Sequence, residues 1–143
     1  MKRQITVGQE LPPLIKGPIS HVDLVKYAGA SGDFNPIHTV ESFAKEVGLG
    51  GVIAHGMLTM AYVGQLLTDF AGNEADLLDF SVRFRAMVRP GDTITCLGTI
   101  TKVEPVASGL LASIQVSAQT QNGEVAVKGS AVLRFDQGEV DVK

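Results

Sequence analysis

Residues 56–71, GMLTMAYVGQLLTDFA, form the longest largely apolar stretch of the chain and constrain its fold more than any other segment. Apolar side chains fall on nearly every side of a helical projection, so a helix here must be wrapped on most of its faces. Gly72-Asn73 supplies the stop. The apolar run of this stretch, residues 56–67, is interrupted by Thr59 and Gln65 and is too short to span a bilayer, so no membrane insertion is expected. The remainder of the chain is strand-like. Residues 77–86 alternate, with Phe80, Val82 and Phe84 pointing one way and Ser81, Arg83 and Arg85 the other. Residues 93–103 are rich in β-branched side chains, and residues 110–119 and 125–135 read as a hairpin joined by Gln121-Asn122-Gly123-Glu124. Arg89-Pro90-Gly91-Asp92 is a turn by composition. One buried helix ahead of a long antiparallel meander predicts an α+β fold in which the sheet curls around the helix. Such a small sheet leaves edges and apolar faces that favour pairing with a second copy.

Ahead of that helix the pattern is shorter-ranged. Residues 14–19 predict a short strand closed by Gly17-Pro18. Ser20 is placed as an N-cap, with Asp23 at the capping-box position, for a helix running to about Ala30. Val22, Leu24, Val25 and Tyr27 are its expected apolar side, and His21 is expected at the surface. A second helix is expected over residues 40–47, with Phe43, Ala44 and Val47 on one side and Gly48, Gly50 and Gly51 ending it. The Gly-Leu-Gly-Gly run has no strand before it and no lysine at the spacing a phosphate loop requires.

A chain of 143 residues is read as a single domain over 1–143. Hydrophobic content of 45% with 19% charged residues excludes disorder. A net charge of −3 without a Lys/Arg block offers nucleic acid no footprint. The start, MKRQITVGQE, lacks the apolar core of a secretory signal, and the lone Cys96 suits a reducing compartment, so a cytoplasmic protein is expected. Cys96 itself reads as a small apolar strand residue.

The chemistry concentrates between residues 31 and 60. Ser31-Gly32-Asp33-Phe34-Asn35-Pro36-Ile37-His38 sets a carboxylate and an imidazole across an Asn-Pro bend. Pro36 pushes Asn35 towards extended backbone, and Asn side chains close local turns, so the bend can fix Asp33 against His38. Both groups carry protons near neutral pH. The same residues also fit an Asx-type turn beside a core histidine with no chemical task. No Ser or Cys has the strand–turn–helix setting of an activated nucleophile, which makes water the attacking species if there is one. Gly56 opens the apolar helix, where its N–H lacks an intrahelical partner and the helix dipole is positive; such an amide suits a developing oxyanion. His55 is read as a structural hydrogen-bonding residue. Asp33, His38 and His55 lack the spacing of a metal triad, so no metal is expected.

The run from Tyr27 to Ala61 resembles the hydratase-2 motif of the MaoC-like (R)-specific enoyl-CoA hydratases and (3R)-hydroxyacyl dehydratases. The likeness is carried by Tyr27, the Ser31-to-His38 octapeptide, Ala44, Gly48 and Ala54-His55-Gly56-Met57-Leu58, and downstream by Val82-Arg83-Phe84 and Val88-Arg89-Pro90-Gly91-Asp92. Val40 departs from the Asp, Ala or Ser of many members. The resemblance implies a hot-dog fold, an antiparallel sheet wrapped around a long central helix, usually as a dimer. It implies Asp33 and His38 as catalytic dyad, Gly56 N–H as oxyanion donor, and Ser31 and Asn35 as supports of the bend. The implied reaction is reversible hydration of a trans-2-enoyl-CoA to the (3R)-3-hydroxyacyl thioester, without metal or other cofactor. Met57, Leu58 and Met60 are offered as neighbours of the acyl chain. Arg83, Arg85 and Arg89 are candidates to meet CoA phosphates or an acyl carrier protein, or else are solvated residues. A (3R)-hydroxyacyl-ACP dehydratase, a hot-dog thioesterase and a non-catalytic partner subunit are the alternatives.

Overall fold

In the computed structural model, which describes residues 3–136 and 140–142, the longer elements follow from local signals or from faces that must be covered. Residues 1–2, which belong to the N-terminal stretch expected not to be a secretory signal, lie outside the described residues. The order is β1 (Arg3–Ile5), β2 (Leu14–Lys16), α1 (His21–Ser31), a 3-10 turn (Pro36–His38), α2 (Glu41–Glu46), α3 (Gly56–Ala71), β3 (Ala75–Phe84), β4 (Ile94–Val106), β5 (Gly109–Gln119), β6 (Val125–Asp136) and β7 (Val140–Val142).

Ser20 caps α1 as expected: its hydroxyl accepts from the Asp23 N–H, and the Asp23 carboxylate accepts from the Ser20 N–H. Gly32, at φ 76°, ends that helix in the left-handed region, where a side chain would be strained. The apolar side of α1 is narrower than the sequence suggests. Leu24 and Ala28 are buried, whereas Val22 and Val25 are exposed, because no element among the described residues covers that side. In α2, likewise, Ala44 is buried and the adjoining Val47 lies open.

The main sheet has five strands in the order β2-β4-β5-β6-β3, all antiparallel. It is therefore not a simple meander. β3 pairs with β6, not with the β4 that comes next in sequence, and becomes an edge. A separate parallel pair, β1 with β7, had no signal in the sequence.

The sheet curls around α3, which is the hot-dog arrangement. Leu58, Thr59, Val63, Leu66, Leu67, Phe70 and Ala71 of α3 are buried. Against them pack the inward residues of the central strands, among them Ile100, Ile114, Val116, Leu133 and Phe135. Wrapping is incomplete, because Met57 and Ala61 remain exposed on the other side. A five-stranded sheet covers one broad face of a helix and leaves the opposite stripe for something else. Cys96 is buried in β4, and burial pushes its thiol up to about 11, as fits an inert strand residue.

Candidate functional site

The bend after α1 is made of side chains that each close the backbone two residues on. Ser31 Oγ accepts from the Asp33 N–H at 3.2 Å, Asp33 Oδ1 from the Asn35 N–H at 3.2 Å, and Asn35 Oδ1 from the Ile37 N–H at 3.1 Å. This is why short oxygen-bearing residues alternate there: each makes an Asx- or Ser-type turn. Asn35 then caps the 3-10 turn, whose first residue is Pro36 and whose last is His38.

One oxygen of Asp33 is thus spent on the turn, and the other, Oδ2, stands 3.8 Å from His38 Nε2. That is too long for a direct hydrogen bond. A separation of 3.8 Å is one that an oxygen atom about 2.8 Å from each, an ordinary hydrogen-bond length, would bridge. The Asp33 side chain is 51% exposed and that of His38 10%, so the gap is reached from solvent on the aspartate side. His38 Nδ1 lies 2.7 Å from the Ile53 carbonyl. A carbonyl only accepts, so Nδ1 carries the proton and the neutral ring presents a bare Nε2 to the gap.

The segment before α3 is tied to this bend. The Ile53 N–H donates to Ile37 O at 3.1 Å, and the Ala54 N–H donates to Val88 O at 2.7 Å. The Val52 N–H donates to the Glu41 carboxylate at 3.1 Å. These bonds land His55, the N-cap of α3, on the histidine of the turn. The two rings stack with centroids 3.8 Å apart and planes 23° apart. His55 Nε2 lies 3.1 Å from the Asp33 carbonyl, and Tyr27 closes the far side edge-on at 4.8 Å. Burial lowers the His55 pKa below the usual histidine range, and the Asp33 carbonyl opposes part of that shift.

No side chain caps α3, and among the described residues the Gly56 N–H donates to no protein acceptor. Gly56 is solvent-accessible and borders a pocket of about 160 Å³ lined also by Ile53, Thr59, Phe84, Met87 and Val88. A Cβ on Gly56 would stand 3.0 Å from the Phe84 ring, so the absence of a side chain keeps that approach open. A larger groove of about 450 Å³ runs over the outer side of β4 and β5, between Glu10 and Lys128, and borders none of these groups.

Sequence reasoning brought Asp33, His38 and Gly56 to notice but missed three contacts. These are the His55 stack, the Phe84 ring over Gly56, and the Glu41 carboxylate on Val52. A histidine standing where a buried helix would ordinarily begin with Ser, Thr, Asp or Asn is the signal that could have exposed the first. Asp33, His38 and His55 each place a ligand-type atom within 4.8 Å of the others. Nearly parallel stacked imidazoles do not aim their in-plane lone pairs at one point, so the geometry does not suit an ion held by both rings. Arg83 and Arg85 are exposed on and just after β3, and Arg89 reaches the Gly51 carbonyl at 3.4 Å. Among the described residues, no helix is long and apolar enough to cross a membrane.

Known proteins resemble the chain in both sequence and fold. It is 34% identical over 116 residues to an (R)-specific enoyl-CoA hydratase of Rhodospirillum rubrum, covering 80% of this chain and 78% of that protein. It is 31% identical over 130 residues to a 3-hydroxybutyryl-CoA dehydratase of Methylorubrum extorquens, covering 90% and 81%. The solved (R)-hydratase from A. caviae involved in PHA biosynthesis superposes with a TM-score of 0.81 at 30% identity, over 90% of this chain and 96% of that one. Residues 3–126 match the family model described as the MaoC like domain. The chain belongs to the MaoC-like domain family, in its hydratase and dehydratase branch.

Proposed function

We propose that the chain catalyses reversible syn hydration of trans-2-enoyl-CoA thioesters to (3R)-3-hydroxyacyl-CoA, with Asp33 and His38 as the proton-carrying pair. It is a lyase of the hydratase and dehydratase family. The observation that carries the mechanism is the 3.8 Å gap between Asp33 Oδ2 and the bare Nε2 of His38. A water held there gives one proton to the pair as its oxygen bonds to the β-carbon. The pair returns one proton to the α-carbon, and the hydroxyl stays on the β-carbon. Between those events the electron pair of the double bond rests on the thioester oxygen as an enolate. The Gly56 N–H, at the positive end of α3 and without a protein acceptor, stabilises that oxygen. The thioester is its own electron sink, so the scheme uses no metal or redox cofactor.

The pocket beside Gly56 gives the thioester a place to lie, with Phe84 and Met87 as walls. Leu58 is buried and Met57 is exposed, so of the side chains considered for acyl contact these two face different surroundings. Solvent-exposed Arg83, Arg85 and Arg89 are at hand for phosphates of the carrier. The edge strand β3 exposes Leu78 and Phe84, with Met57 and Met87 also open, and a second copy of the chain pairing at that edge covers them in a homodimer.

Purified protein mixed with enoyl-CoA thioesters of increasing chain length is expected to bleach the conjugated-enoyl absorbance and yield the 3R alcohol. A 3S product, or thiol release without hydration as from a thioesterase, overturns the assignment. The same pair run in reverse on an acyl-carrier-protein substrate is the dehydratase reading, for which matched CoA and carrier-protein thioesters give the comparison. Inactivity on both fits a non-catalytic partner subunit.

A further inference from the structure

His55 does more than its burial requires. Its residue is 1% exposed, and a core position of that kind is ordinarily filled by an apolar side chain. Here the ring touches both members of the Asp33–His38 pair by different parts. Its Nε2 meets the Asp33 carbonyl at 3.1 Å, and its face lies on the His38 ring at 3.8 Å. Because a carbonyl only accepts, Nε2 carries the proton. Nδ1 is buried and, among the described residues, has no hydrogen-bond partner. A proton on Nδ1 would be a buried donor without an acceptor, on a ring stacked against a second imidazole. The geometry therefore selects one neutral tautomer.

The tie also differs in kind from the rest of the bend. The other hydrogen bonds of Asp33 run to Ser31 and Asn35, within the exposed turn itself. The bond from His55 spans 22 positions of sequence and fastens the aspartate to the start of α3. His38 is locked on its own other side by Ile53 O, and Tyr27 backs His55 edge-on. Tyr27, His55 and His38 thus form three layers, with the middle ring also gripping the backbone that bears the carboxylate.

We propose that His55 is a positioning residue for this pair: its Nε2–H holds the Asp33 backbone and its ring face backs His38. One neutral imidazole thereby fixes the separation across which the water is held. The inference rests on the dyad reading under Proposed function, and it adds the residue that sets the distance between the reacting groups. A misplacement of about 1 Å in such a pair is enough to cost about 100-fold in rate.

Two substitutions separate the two grips. His55→Phe keeps a ring for both stacks and removes the donor; His55→Gln keeps an amide donor and removes the ring. Both are assayed beside Asp33→Asn on one enoyl-CoA, with a thermal melt for each. His55→Phe is expected to retain a cooperative melt and a KM within about threefold of wild type, while kcat falls about 10–100-fold. His55→Gln is expected to recover part of that loss, which a purely space-filling role does not allow. Wild-type kcat in His55→Phe beside an inactive Asp33→Asn overturns the positioning role and leaves the pair standing. An active Asp33→Asn removes the pair itself. If His55→Phe does not fold, nitrogen NMR on the wild-type protein decides. The expected result is a proton on Nε2 and a bare Nδ1 at His55 at neutral pH. A proton found on Nδ1 overturns the proposal.

Discussion

The bend at residues 31–35 is exposed, and its side chains close it with hydrogen bonds that reach two residues along the chain. The start of α3, which lies against it, is held by the opposite means: bonds from Val52, Ile53 and Ala54 to distant backbone and carboxylate, and stacked rings. The carboxylate of the pair sits on the part that solvent can reach, whereas the His38 imidazole and the groups that hold it lie in the part it cannot. The division leaves the Asp33 carboxylate open to solvent while its backbone is pinned by a buried ring. Substitutions on the two sides should therefore fail differently, in turnover on one and in stability on the other.

The largest effect is expected on the exposed side. Asn in place of Asp33 keeps an oxygen for the Asn35 N–H and removes only the proton-carrying carboxylate. Turnover of an enoyl-CoA should drop about 10²–10⁴-fold, the usual weight of a general acid–base group, with the thermal midpoint nearly unchanged. A large loss of midpoint instead would mean that the bend depends on the charge, and the division just drawn would collapse. Next in size is its mirror image in the core. Leu67 of α3 is fully buried, and Leu67→Ala should cost about 2–5 kcal/mol in urea unfolding while each folded molecule keeps its turnover.

Gly56 belongs to both sides, and Gly56→Ala should show it. The new methyl would stand 3.0–3.1 Å from ring atoms of Phe84, which is half-exposed and able to swing away. We expect a stability loss of about 1–2 kcal/mol, at the mild end of overpacking, that Phe84→Ala largely relieves in the double variant. Turnover should fall about tenfold and stay low in that double variant, because the methyl still crowds the amide. Recovery of both together would make Gly56 a packing residue only. Smaller again is Ser31→Ala, which deletes one link of the bend. A cost of about 0.5–1.5 kcal/mol and a few-fold drop in kcat are expected, checked by melts and initial rates.

Legibility in the sequence divides along the same line. Ser20 and Asp23 marked the start of α1, and the run at residues 56–71 matched α3 end to end, because caps and apolar periodicity act over a few residues. The alternation of Ser31, Asp33 and Asn35 announced a polar bend for the same reason. The placement of β3 beside β6 was not legible, since strand pairing is a long-range choice among several compatible edges. Nor was the exposure of Val22, Val25 and Val47, whose apolar character asks for a cover that the described residues do not supply. His55 was half legible. A hydrogen-bonding role was read from its place before the helix start, but its contact with Asp33 depends on the chain folding back across 22 residues.

That buried ring yields the smallest effect and the most specific. Burial, the largest influence, lowers the His55 pKa in the fold; the Asp33 carbonyl and carboxylate pull the other way, and His38 adds to the lowering. In the unfolded chain the ring titrates near 6.5. Above that pH both states carry neutral His55 and the group contributes no pH dependence. As pH falls below it, the unfolded chain binds the proton first, so stability declines until the lowered folded value is reached and then levels off. Urea unfolding between about pH 7.5 and about pH 5 should therefore show a decline that is shallower in His55→Phe, measured against a His21→Gln control at an exposed histidine. An equal slope in His55→Phe and wild type would mean that the ring accepts a proton in the fold as readily as out of it. The buried side would then no longer be the inert partner of the exposed one.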